Sequence, residues 1–293
     1  MKSFNEIYQE VYMECKDVLE NSRQEALKEN IKSVVIILIT TIFFTLITQN
    51  TFAIIIGVFA YIIYFGFNRK NTRYNNLFKE KVIAKFVNAY SSSLNYHANR
   101  GIGPSVYKQG EFEPFNVFYS EDAIIGTFED GNSISMSEVK AIRESRDSDG
   151  DKTRVIVFHG MFAEVKLPKL VLANIKIRRD QFLLEGRNKV EMDSGEFEKK
   201  FTVFSTDSII AMQLLTSDIM QMFIDFKEKN RITPELTIKA DRMYIRFNTG
   251  DVFEANLTKE SLDFDTLLRY YNIITFTLKL TEEMAKNINE TEL

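Results

Sequence analysis

Between Lys32 and Arg69 the chain runs for 36 residues without a side chain that is charged at neutral pH. The run is apolar except at its middle, where Thr48-Gln49-Asn50-Thr51 interrupts it. As one helix rising about 1.5 Å per residue it would be roughly 54 Å long, far beyond a hydrocarbon core of about 30 Å. Folded at the polar tetrapeptide, each arm is about 25–27 Å, a span that slight bilayer thinning or snorkelling completes. The run therefore predicts a transmembrane helical hairpin over 33–68, with the lipid bilayer as its first partner. A hairpin that dips into one leaflet is the alternative, and the length of the arms argues for full crossing.

Flanking charge orients the hairpin. The turn has no Lys or Arg, whereas Lys28 and Lys32 precede the run and Arg69, Lys70, Arg73, Lys79, Lys81 and Lys85 follow it against one acid, Glu80. The positive-inside rule places both termini in the cytoplasm, making a two-span protein of a bacterial inner membrane. Arg69, Lys70 and Arg73 are the expected lipid-headgroup contacts. Within the arms, Thr41 and Thr45 repeat at helical spacing, and Ala53 and Gly57 form a small-xxx-small pair. Such residues let helix backbones approach, so these four are the expected packing seam, within the hairpin or between two copies of the chain. A homo-oligomer is thus a candidate partner. Neither arm contains Asp, Glu, His, Lys or Arg. Ion and proton pathways use such groups, which leaves a small oligomeric channel as the least supported reading.

Charge elsewhere is balanced. The net charge of −4 lacks the basic excess that phosphate backbones demand, which argues against nucleic acid as a partner. Cys15 is the only cysteine, so no disulfide forms within the chain. The first 30 residues are densely charged, unlike a secretory signal.

Residues 1–32 read as a cytoplasmic amphipathic helix, with Phe4, Ile7, Tyr8, Val11, Tyr12, Cys15, Val18 and Leu19 on one face. Residues 69–104 read as a basic juxtamembrane segment and a second amphipathic helix, ending near residue 97 before Gly101-Ile102-Gly103-Pro104. From about residue 112 the apolar period changes from 3.6 to 2. Strands are expected at 115–119, 123–128, 132–137, 153–159, 161–166, 173–178 and 196–204. Helix returns over 207–229, with Asp207 as N-cap and a restart near Thr216. Strands at 235–239, 242–247 and 252–256 follow, then a helix over 263–288 with Phe264, Leu267, Leu268, Tyr271, Ile274 and Leu278 buried. Strands followed by helices without regular alternation make residues 105–293 a cytoplasmic α+β domain with a mainly antiparallel sheet.

The run Val190-Glu191-Met192-Asp193-Ser194-Gly195-Glu196-Phe197-Glu198-Lys199-Lys200-Phe201-Thr202-Val203-Phe204-Ser205-Thr206-Asp207, continuing to Leu215-Thr216, resembles an uncharacterised bacterial membrane-protein family, the domain of unknown function 3137. Phe158-His159-Gly160-Met161-Phe162 and residues 122–126 share the resemblance. Ser217 stands where that family often has proline. The resemblance implies two N-terminal spans, a cytoplasmic C-terminal domain and association with LemA-type membrane proteins. It implies no activity.

Chemical motifs are sparse. Asp147-Ser148-Asp149-Gly150-Asp151 alternates carboxylates, but an EF-hand would need Gly at Lys152 and a carboxylate at Phe158, so a solvated turn is the better reading and no metal is assigned. His97 and His159 form no zinc spacing with Cys15. His159 reads first as an ordinary strand residue and second as a site residue. Glu196 and Glu198, two apart on the expected strand, share a face and with Asp193 and Asp207 invite an acid–base pair; strand alternation around Phe197 explains them as well. Gly101-Ile102-Gly103 lacks the third glycine of a dinucleotide loop, and no cofactor is expected. The reading that follows is a membrane-anchored binding or scaffolding module. A membrane-surface enzyme using acidic residues around 193–207 is the alternative.

Overall fold

The computed structural model describes all residues except 1, 50–51, 68–71, 128–132, 147–149, 180–187, 258 and 292–293, with backbone alone at 53, 62–67 and 72. Two compact units divide the chain. One comprises residues 1–4, 87–253 and 265–293; the other comprises 5–86 and 254–264.

In the second unit, α1 (Phe4–Thr48) runs unbroken for 45 residues, so the amphipathic stretch and the first apolar arm are one helix rather than two elements. Nothing between Asn30 and Ser33 breaks it, because Ile31 and Lys32 are compatible with helix and no Gly or Pro intervenes. Its first half buries Ile7, Val11, Cys15 and Leu19 at four-residue spacing, while Val18 is exposed. α2 covers Phe52–Phe67. α3 (Thr72–Phe78), a π-helical turn (Lys79–Ile83) and α4 (Ala84–Tyr90) follow as a continuous helical stretch. It meets α1 where Cys15 Sγ donates to the Lys81 carbonyl at 3.4 Å and Lys85 pairs with Glu14. The returning segment is tied in by Lys79, which pairs with Glu254 at 3.0 Å, and by Asn75, whose Oδ1 accepts the Ala255 N–H at 2.8 Å.

The helical stretch stops at Tyr90, not near 97. Ser91-Ser92-Ser93 competes for the backbone, with Ser91 Oγ accepting the Ser93 N–H, and Leu94–His97 becomes strand β1. α5 (Pro104–Gln109) is a short helix started by proline, in a region read as a helix-ending loop.

The first unit is an antiparallel sheet ordered β1-β2-β3-β4-β6-β5, with β7 also paired to β4. β2 is Val117–Thr127, β3 Ser133–Arg146, β4 Lys152–Arg179, β5 Lys189–Val190, β6 Phe201–Ser205 and β7 Pro234–Phe247. Several pairs of expected strands are therefore single strands. Asp122, Gly160 and Ala240 stand at the expected breaks and have positive φ, so the chain bends or bulges there and continues. Residues 252–256 form no strand. β4 is the axis: it pairs with β3 through Val165, with β7 from Met161 to Ile177, and with β6 from Ile175. Met161, Phe162 and Ala163 are buried consecutively, so both faces of the sheet are covered there.

On one face Tyr107 of α5 packs on Phe158 and Phe162, with Ile102, Val139, Ala141 and Tyr244 in the same cluster. On the other, Phe247 meets Phe226 of α8 (Ser217–Asn230) and Phe276 of α9 (Phe264–Glu290) at centroid distances of 5.3 and 5.8 Å. The buried arc of α9 includes Leu267, Tyr270, Ile273, Ile274 and Phe276, whereas Phe264 at its start is exposed. Among the described residues the remaining α-helices are α6 (Gly195–Glu198) and α7 (Ser208–Leu214), and α7 and α8 meet at a 70° bend.

Candidate functional site

Glu138 sits where strand alternation demands an apolar side chain. Ile134 and Met136 precede it inward on β3, and Glu138 itself is 5% exposed. Its cross-strand partner is Met161, and His159 stands diagonally on β4 opposite Lys140. Residue 160 must be glycine for the third group to arrive. Its φ is +155°, and an added Cβ would lie 2.1 Å from the Phe247 carbonyl oxygen and 2.5 Å from the Thr249 nitrogen. The end of β7 and the following turn thus lie directly against β4, held by a Gly250 N–H to His159 carbonyl bond of 3.0 Å. Arg269 of α9 donates to the Thr249 carbonyl at 3.2 Å from outside the turn. This docking delivers Asp251, whose Oδ1 lies 3.0 Å from His159 Nε2.

The result is a histidine between two carboxylates from three segments. Glu138 Oε2 accepts the Val252 N–H at 2.8 Å, while its Oε1 faces His159 Nε2 at 3.7 Å, beyond hydrogen-bond reach. Burial pushes the Glu138 carboxyl up to about 8; the Val252 N–H acts against this, and the charges of Asp122, Asp251 and Glu121 add to it. One donor atom from each of Glu138, His159 and Asp251 lies within 4.8 Å of the others, a set able to hold a metal ion. His159 was the one member legible as a site candidate. Glu138 carried a signal, a carboxylate in the inward register of a strand; Asp251 carried none beyond its turn.

A second polar cluster lies on the α5 face. Arg246 bonds both oxygens of Glu113 and, through Nε at 2.5 Å, Glu235. The guanidinium carbons of Arg246 and Arg178 lie 4.2 and 4.4 Å from the Phe112 ring centroid. Burial lowers Arg178 to about 10, still charged at neutral pH. Every strong donor here meets a protein acceptor or ring, which makes this a clamp fixing residues 110–116 to the sheet.

The carboxylates at 193–207 do not converge. Glu196 and Glu198 lie on a helical turn, not on a strand, so they no longer share a strand face. Ser194 caps that turn by accepting the Phe197 N–H, and burial of Phe197 against Phe201 at 4.9 Å holds it. Glu196 pairs with Lys200 at 2.9 Å, Glu198 accepts the Met192 N–H at 3.0 Å, and Asp207 caps α7 by accepting from Ile209 and Ile210. Each is occupied by local structure.

In the apolar segment Gly57 is buried on Thr41: an added Cβ would fall 2.1 Å from Thr41 Oγ1. Thr41 and Thr45 hydroxyls donate back to the carbonyls of Ile37 and Thr41. Ala53 has a described backbone only. Arg69 and Lys70 lie outside the described residues, as do Asp147, Ser148 and Asp149; Arg73 is exposed on α3. Lys79 and Lys85 are engaged by Glu254 and Glu14.

Residues 156–286 match the family described as "Protein of unknown function (DUF3137)", the family that the run at 190–207 resembles. No curated protein matches the chain. Among solved structures it is similar to the mycobacterial trehalose monomycolate transport factor A, TtfA, at 9% identity and a TM-score of 0.40, over 68% of this chain and 89% of that one.

Proposed function

We propose that this chain is a membrane-anchored protein whose α+β domain serves as a cytoplasmic binding or scaffolding module. The observation that carries the reading is the apolar half of α1: it is long and apolar enough to cross a membrane, and none of it is buried within the protein. Ile36, Phe43, Leu46 and Ile47 each expose about 60% or more of their surface, an arrangement that is costly in water and favourable in lipid. The close approach of Gly57 to Thr41 supports folding of α2 back along α1 as a second span. The positive charges on both flanks then keep both termini on the cytoplasmic side of a bacterial inner membrane. With Lys79 and Lys85 engaged in ion pairs, Arg69, Lys70 and Arg73 are the basic side chains assigned to headgroups. Another membrane protein, of the LemA type that the family resemblance suggests, is the partner class this module would take.

The test is fractionation of cells expressing the chain with residues 33–68 deleted. The anchor reading expects it to move from membranes to the soluble fraction. Retention on carbonate-washed membranes refutes that reading.

A further inference from the structure

We propose that Glu138, His159 and Asp251 form a binding site for one divalent first-row transition ion, with zinc as the representative. The inference rests on geometry within the sheet domain and is independent of the membrane anchor.

The three donors are His159 Nε2, Asp251 Oδ1 and Glu138 Oε1. A tetrahedral zinc with bonds of about 2.1 Å separates its ligands by roughly 3.4 Å. Here Nε2 is 3.0 Å from Oδ1 and 3.7 Å from Oε1, and the set closes within 4.8 Å. The two spacings from Nε2 bracket the required one, so His159 needs only small side-chain rotations to share an ion with either carboxylate. One imidazole with two carboxylates is a donor set of borderline hardness, suited to zinc, manganese or iron(II) rather than to a soft ion.

The framework is built to hold these groups. Glu138 is buried, and its second oxygen is fixed by the Val252 N–H, which orients Oε1 toward His159 in the manner of an outer-shell contact. Gly160 brings the turn into contact, and the His159 carbonyl and Arg269 hold it there. Asp251 is half exposed, so ions enter from solvent along its side. Three protein ligands leave a fourth position for water or for a ligand atom of a bound partner.

A rival explanation for the same contacts is a polar cluster of the three side chains that holds no metal. The experiment separates the two. The full chain in detergent, freed of metal by chelation, is titrated with zinc chloride against a chromophoric zinc indicator, and with cobalt(II) followed by its visible d–d absorption. The expected result is one equivalent bound per chain, with a cobalt spectrum of tetrahedral or five-coordinate intensity. H159A and D251N should each weaken binding by more than about 100-fold, beyond the cost of losing an outer-shell partner. D251N alters an exposed side chain, so its circular dichroism should match the parent and keep the test valid. D149N, in the other acidic string, should bind as the parent does. Absence of a saturable equivalent, or parental affinity in either H159A or D251N, overturns the proposal.

Discussion

Replacing Gly160 by alanine probes the device that assembles the Glu138–His159–Asp251 cluster. The new Cβ would meet the Phe247 carbonyl oxygen at 2.1 Å and the Thr249 nitrogen at 2.5 Å, both backbone atoms that cannot rotate away. Relief requires moving the turn, which breaks the Gly250 N–H to His159 carbonyl bond. Such a bond contributes about 0.5–1.5 kcal/mol. Holding a non-glycine residue at a φ of +155° adds about 1–3 kcal/mol of strain. The combined loss is about 1.5–4.5 kcal/mol, which for a domain of this size lowers the melting midpoint by roughly 3–18 °C. The assay is thermal unfolding of the full chain in detergent, followed by circular dichroism. Gly195→Ala is the control, because a Cβ there has no neighbour within 4 Å. G160A melting within a degree of G195A would refute the claim that residue 160 fixes the approach of the turn.

R246M should destabilise the sheet domain by about 3–5 kcal/mol in urea unfolding, because it strands the largely buried Glu235 carboxylate, whereas half-exposed Glu113 turns to solvent. A loss below about 1 kcal/mol would show the clamp to be dispensable. Hydrogen bonds from Lys176 and Lys239 hold the Glu111 carboxyl down at about 2. Because its folded value is depressed, its contribution is complete above the ordinary carboxylate range near 4.5 and is lost as pH falls through about 2. E111Q should therefore flatten the acid limb of a stability–pH curve between those values while leaving the neutral side parallel to the parent. An unchanged acid limb would contradict the assignment.

What could be read from the sequence was what depends on near neighbours. The apolar run needs no tertiary partner to declare itself. Asp207 as a cap, the restart at Ser217 and the final helix follow from side chains acting on their own backbone. Strand periods were legible, but strand lengths were not, because Asp122, Gly160 and Ala240 look like breaks and act as bends. The 196–198 turn was misread for a related reason: Glu-Phe-Glu alternates as a strand does, and only the Ser194 cap together with the burial of Phe197 selects helix. The cluster was the least legible feature. Asp251 comes from a segment far from Glu138 and His159 in the chain, and the register of β3 on β4 and the docking of the β7 turn bring the three together. The same holds for Arg246 and Glu113.

Site-directed labelling of single cysteines in intact cells bears most directly on the account as a whole. Cys15 is buried, so background from the native thiol is low, and it can be removed as C15A. A membrane-impermeant maleimide should label Q49C, just after α1, from outside the cell. It should label R146C and E290C, on the sheet domain and α9, only after the membrane is opened. Labelling of R146C or E290C in sealed cells, or protection of Q49C in both conditions, would contradict a cytoplasmic module held by a hairpin that crosses the bilayer.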